Sequence, residues 1–151
     1  MLTGLQHMHS LLRYVMIILL IVAVVNAFFK MRGKQAFTAF DNKLSFYTLI
    51  FTHIQLLIAL VLYAISPIVK GAWAMGMGNM MASSAHRFYG IEHAFGMLIA
   101  IGLITFGRIK SKKLSDDVAK HKTTFVYFLI ALLIIMVSTP WPFRNLGTSW
   151  L

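Results

Sequence analysis

The stretch YVMIILLIVAVVNAFF, residues 14–29, decides the fold class, because it contains one amide side chain, Asn26, and no charge. With the residues before it, this stretch forms an apolar run from Leu5 to Phe29. Such a run is long enough to cross the roughly 30 Å hydrocarbon core of a bilayer as a helix. In lipid the backbone must form its hydrogen bonds within its own segment, so the run is predicted to be helical.

Three further apolar runs follow, at about residues 44–65, 85–107 and 123–139. The second and fourth stop at Pro67 and Pro140, as helices do at proline. Hydrophobic residues make up 59% of the chain and charged residues 12%, which is more apolar surface than one domain of this size can bury by itself. The sequence therefore predicts an all-α integral membrane four-helix bundle, a single transmembrane domain over residues 1–151.

The positive charge is concentrated between these runs. The formal net charge is +10, yet its position in loops favours contact with lipid head groups over nucleic acid. Loops between membrane helices that are rich in Lys and Arg stay in the cytoplasm, which predicts that both termini face outward. The first and third loops hold ten of the 14 basic residues, namely Lys30, Arg32, Lys34, Lys43, Arg108, Lys110, Lys112, Lys113, Lys120 and Lys122.

Histidines within the predicted spans are the main candidates for chemistry. Ionisable groups inside a membrane are costly and usually functional, and imidazoles that face each other in a helical bundle are a common way to bind b-type haem. The chain has no cysteine, so a haem would be bound non-covalently. His53 and His93 are predicted to lie deepest and are the first choice of iron ligands. His9, nearer the outer interface, is the alternative partner for His93.

The charged residues near these histidines support two interpretations, and both remain open here. Glu92 is the one acidic residue outside the loops predicted to be cytoplasmic, and a buried carboxylate is normally paired. Arg13 or Arg87 is therefore expected to form an ion pair with it. In the functional interpretation, Arg13 or Arg87 binds a haem propionate while Glu92 moves protons near a quinone.

Two further features of the sequence, a set of evenly spaced glycines and a Met-rich run, each have a packing explanation and a functional one. Gly90, Gly96 and Gly102 recur every six residues on the third helix, where they permit either close helix packing or the approach of a flat macrocycle. The Met-rich run of residues 75–81 offers soft thioethers that suit Cu(I), or it is an apolar loop on the lipid surface.

Several short phrases in fixed order resemble a known family. They are His9-Ser10-Leu11-Leu12-Arg13-Tyr14, His53-Ile54-Gln55-Leu56-Leu57, Arg87 with Glu92-His93, and Pro140-Trp141-Pro142-Phe143. Together they resemble the small bacterial membrane proteins usually labelled cytochrome B. The resemblance implies haem b, electron transfer and a bacterial inner-membrane location, with His9, His53 and His93 as the histidines of interest. The chain also resembles, more loosely, the copper-resistance D type of four-helix module.

The sequence thus leads to one main hypothesis and two alternatives. The main hypothesis is a haem-b electron carrier that exchanges electrons with quinone or a partner respiratory subunit, rather than an enzyme acting alone. The first alternative is a non-catalytic accessory subunit of a larger membrane complex. The second is a copper-handling membrane protein.

Overall fold

The computed structural model describes residues 2–144 and 146, and the regular structure of these residues is helical. Four segments are long and apolar enough to cross a membrane, which confirms the predicted multi-pass helical architecture. They are α1 (Leu2–Arg32), α2 (Ala39–Ile65), a third span (Ser84–Lys113) and α7 (Asp117–Ser138). Between α2 and the third span lie the short helices α3 (Pro67–Ala74) and α4 (Met77–Ala82). The third span is built from α5 (Ser84–Arg87), a π-helix (Phe88–Glu92) and α6 (His93–Lys113), and a 3₁₀ turn follows α7 at Pro142–Arg144.

The membrane helices are longer than the apolar runs that predicted them. α6 continues to Lys113, six residues past the expected end at Gly107, and α7 begins at Asp117. The third loop is therefore only three residues long. The cations predicted to lie in this loop therefore belong to the helix ends, and Lys110, Lys112 and Lys113 in the last turn of α6 interact favourably with the helix dipole. The Asp116 side chain caps α7 by accepting a hydrogen bond from the Ala119 N–H at 2.6 Å.

The four spans form a ring in chain order. α1 packs against α2 and α7, and α6 packs closely against α7, whereas α2 meets α6 over a smaller interface. α1 and α6 therefore lie on a diagonal of the bundle. The buried core between the spans is apolar and includes Met16, Leu20, Ile104, Phe128 and Ile135.

Glycine allows the close approach of α6 to α7. A Cβ atom at Gly96 would collide with the Ser138 side chain, and one at Gly107 would lie 2.5 Å from Tyr127 Cβ. A Cβ atom at Gly90 would lie 2.9 Å from Met80 Sδ, while Gly102 has open space beside it. Helix packing thus explains three of these glycines and leaves Gly102 without a packing role.

The two ends of the bundle differ in chemistry. At one end, helices α3 to α5 form a small cap, in which the Tyr63 hydroxyl donates to the Gly90 carbonyl at 2.6 Å and Trp73 Nε1 donates to the Tyr63 oxygen at 3.1 Å. α1 begins and α7 ends at this same end, where the Arg13 guanidinium lies 5.7 Å from the Trp141 ring centre. The opposite end, called the basic end below, holds the ten cations that the sequence assigned to the first and third loops, most of which lie on the helix ends.

The basic end is closed by buried polar contacts. Asp41, 4% exposed, accepts hydrogen bonds from Lys30 Nζ at 2.8 Å and Asn26 Nδ2 at 2.6 Å, and these join α2 to α1. Arg108, 7% exposed, donates to the Asn42 carbonyl at 3.1 Å and to the Ser45 hydroxyl, which joins α6 to α2.

Candidate functional site

Two histidines from diagonally opposed helices meet in the cap half of the bundle. The ring centres of His9 on α1 and His93 at the start of α6 lie 6.4 Å apart, and their planes are 74° apart. With a rise of about 1.5 Å per residue, His9 lies about 34 Å from the end of α1 and His93 about 30 Å from the end of α6. The two rings therefore reach nearly the same level, although the shorter helices expected from the sequence placed them further apart.

The end of α7 fixes the orientation of His93. Its Nδ1 lies 2.7 Å from the Ser138 carbonyl oxygen. In a continuing helix that carbonyl would accept the N–H four residues later, but residue 142 is proline and has none. A carbonyl can only accept, so Nδ1 carries a proton, and in the neutral imidazole Nε2 then has the lone pair. The Phe88 ring, 5.8 Å from the His93 ring, packs beside it.

His9 is held by a neighbour on α2. Gln55 is 8% exposed, and its Nε2 donates to the His9 backbone carbonyl at 2.8 Å. His9 Nδ1 is buried and has no hydrogen-bond partner among the described residues, and neither has Gln55 Oε1. Buried polar atoms are almost always satisfied, so these two atoms on neighbouring helices are available at this level of the bundle to a further hydrogen-bonding group.

Arg13 adds positive charge to the same region. It is 7% exposed, its Nη2 donates to the Tyr14 hydroxyl at 3.2 Å, and its guanidinium lies 4.8 Å from the Tyr14 ring centre. Arg13 follows His9 by four residues on α1, so the two side chains lie on the same face of that helix. The structure thus brings together three of the six residues selected from the sequence, His9, Arg13 and His93.

Glu92 forms its ion pair with Arg87, and the pair is at the surface of the described chain. Arg87 Nε lies 2.7 Å from Glu92 Oε1, with side-chain exposures of 35% and 45%, and Arg87 Nη1 also donates to the Met81 carbonyl at 2.8 Å. The expectation that Glu92 is buried is therefore wrong. The reason is helical geometry: neighbouring residues point about 100° apart, so Glu92 turns outward when His93 faces the bundle centre.

His53 occupies a different position from the paired histidines. It is half-buried, and its Nδ1 lies 2.9 Å from the Leu49 carbonyl oxygen on its own helix. It lies about 21 Å from the start of α2, deeper in the bundle than His9 and His93, and two residues before Gln55, which turns it to another face of α2. Within residues 2–144, no ring contact or hydrogen bond joins His53 to His9 or His93.

The Met-rich run is folded and only partly accessible. Met80 is fully buried against Gly90 in the cap, whereas Met77 and Met81 are 56% and 47% exposed. No group of three or more His, Cys, Asp or Glu side chains in the described ranges could hold a metal ion. A haem iron needs only two protein ligands, so this absence does not bear on whether the histidine pair could bind haem.

Sequence reasoning missed several buried polar residues, among them Gln55, Asp41 and His121. Gln55 lies in an apolar run, two residues after His53. The signal that could have identified it as buried is its spacing from Thr48 and Thr52, because residues three or four positions apart share one face of a helix. Asp41 and His121 fall in segments that read as basic loops, yet they are 4% and 1% exposed. Both residues are buried because the helices continue past the ends of the apolar runs, so segments predicted to be loops are packed helix ends.

Comparison with known proteins supplies no family for the chain. No family model matches it, and no curated protein and no solved structure is significantly similar to it.

Proposed function

We propose that the chain binds a b-type haem between His9 and His93 and acts as a membrane electron carrier. The observation that supports this proposal is the 6.4 Å separation of the two imidazole centres. A metal–imidazole bond is about 2 Å long and a ring nitrogen lies about 1 Å from its ring centre, so two imidazoles on opposite sides of one iron have centres about 6 Å apart.

The protonation of His93 also suits this role. Metal-bound histidines usually donate their other ring N–H to a carbonyl or carboxylate, which fixes the tautomer and the ring plane. The 2.7 Å contact between His93 Nδ1 and the Ser138 carbonyl provides this support and leaves Nε2 for iron. His9 serves as the opposite ligand in place of His53, because His9 is the histidine whose ring reaches His93.

The surroundings fit a flat, largely apolar group with acidic substituents. Beyond Gln55, no residue of α2 is buried, so the cap-side part of α2 contributes little to the buried core beside the pair. Arg13 provides positive charge for the carboxylates of the haem. A haem held by these residues would supply one-electron redox chemistry. The role of the chain is to hold it in an apolar site and to balance its charge.

The position of this site in the membrane follows from the basic end. Ten cations gather there, and on the positive-inside rule we propose that they face the cytoplasm, in the inner membrane of a bacterium. The cap, both termini and the histidine pair then lie toward the outer side. From this level the haem exchanges electrons with quinone in the bilayer or with a partner respiratory subunit.

The proposal is tested by the absorption spectrum of the purified protein, expressed with ample haem. We expect a Soret band and, on reduction, a sharp alpha band from six-coordinate haem. Pyridine extraction should recover all the haem, since no thioether anchors it. Full haem supply without a Soret band would contradict the proposal. It would favour the alternative of an accessory subunit, in which the pair serves helix packing.

A further inference from the structure

An open cavity of about 290 Å³ lies at the basic end of the bundle, far from the histidine pair. It is lined by Phe37, Thr38, Ala39, Asn42, Lys112 and Lys120. These residues come from the loop before α2, the start of α2, the end of α6 and the start of α7. The volume is close to the lower end of the range for small-ligand sites, and it is large enough for a phosphate group with part of its ester.

The cavity carries an excess of positive charge. Lys112 is exposed and forms no ion pair with a carboxylate among the described residues. Lys120 does have such a partner: its Nζ lies 3.2 Å from Asp117 Oδ1 and 5.5 Å from the Phe37 ring centre. Asp117 compensates one of the two lysines, and the other remains available for an anion.

Asn42 lines the same cavity and has a side-chain amide. Its Oδ1 accepts from Arg108 Nη2 at 3.2 Å. Arginine can only donate, so the atom facing it must be the amide oxygen, and the Nδ2 hydrogens face away from Arg108. Arg108 is buried and without a carboxylate partner in the described chain, so its charge reinforces the potential behind Asn42.

We propose that this cavity binds the phosphate of an anionic membrane lipid, with Lys112, Lys120 and the Asn42 amide as its ligands. A basic cavity between membrane helices, at head-group level, is a known setting for such lipids. The basic end terminates four apolar spans, so a lipid of the adjacent leaflet presents its phosphate here without leaving the bilayer. The exposed Phe40, next to the cavity wall in sequence, offers apolar contact for its acyl chain.

The test compares two variants that lose the same charge at the same end. The site variant is Lys112→Gln with Lys120→Gln. The control is Lys113→Gln with Lys122→Gln, since both of these lysines are exposed and neither lines the cavity. Binding of phosphatidylglycerol, phosphatidylcholine and inorganic phosphate to delipidated protein is measured by native mass spectrometry. Size-exclusion chromatography checks folding, and if the double site variant does not fold, Lys112→Gln alone is compared with Lys113→Gln.

We expect the site variant to lose at least about tenfold in affinity for phosphatidylglycerol, as the removal of charged hydrogen-bond donors implies. The control should lose less than about threefold, because neither of its lysines lines the cavity and a charge that makes no direct contact with the phosphate is screened by salt. Phosphatidylcholine should bind more weakly than phosphatidylglycerol to the parent protein. Equal losses in both variants would show general surface attraction and overturn the proposal. Inorganic phosphate that binds as tightly as the lipid would also overturn it, because the site would then take a soluble ion.

Discussion

His9 and His93 approach each other across the bundle diagonal, with ring centres 6.4 Å apart, although 84 positions separate them in the chain. α1 and α6 make little direct contact at the level of the backbone, so these side chains extend into the space between all four spans. Two imidazoles in such a space can coordinate one metal from opposite sides, which is the arrangement of a six-coordinate haem.

The first prediction concerns the ligands. His93→Ala and His9→Ala should each abolish the six-coordinate haem spectrum, because each removes one axial bond. His53→Ala is the matched control: it removes a half-buried histidine from the same bundle, and its loss should leave the alpha band in place. Spectra of reduced and oxidised protein measure the effect. A lost alpha band in His53→Ala, with an unchanged band in His9→Ala, would restore the pair first expected from the sequence.

The sequence predicted the membrane bundle but could not decide between the histidine pairs, for a physical reason. Lipid requires runs of about 20 apolar residues, and these runs are visible in any sequence. The level of a side chain depends on where its helix really ends. α6 extends six residues past its apolar run, which moves a residue by about 9 Å along the axis. The π-helix at Phe88–Glu92 also changes the direction in which the neighbouring side chains point. No pattern in the sequence indicated this π-helix.

A second prediction contrasts two acidic residues. Asp41→Asn should lower the free energy of unfolding by about 3–5 kcal/mol, because it leaves Lys30 without its partner in a buried network. Glu92→Gln should cost at most about 1 kcal/mol, because the Arg87–Glu92 pair is exposed and weak. Unfolding of the two variants in the same detergent gives the comparison. A larger loss for Glu92→Gln would mean that a partner or lipid buries this pair.

A third prediction tests the orientation. The chain has no native cysteine, so single cysteines report accessibility directly. Ser84→Cys, exposed at the start of α5, should react in intact cells with a reagent that does not cross the membrane. Ser115→Cys, exposed in the short turn between α6 and α7, should react only after permeabilisation, because the positive-inside rule predicts a cytoplasmic position for the adjacent lysines. The reverse pattern would place the cap in the cytoplasm.

The last prediction links helix packing to the candidate site through two glycines of α6. Gly102→Ala adds a methyl group to open space and removes a helix-destabilising glycine, so stability should hold or rise by up to about 1 kcal/mol. Gly96→Ala places the same methyl group against Ser138, and such overpacking typically costs about 1–3 kcal/mol. Because the Ser138 carbonyl holds His93 Nδ1, a displaced α7 should also change the orientation of His93. Gly96→Ala should therefore alter haem affinity and the alpha band, while Gly102→Ala leaves both unchanged. Haem titration and thermal unfolding of the two variants provide the readouts, and an unchanged haem spectrum in a destabilised Gly96→Ala protein would show that the end of α7 does not position His93.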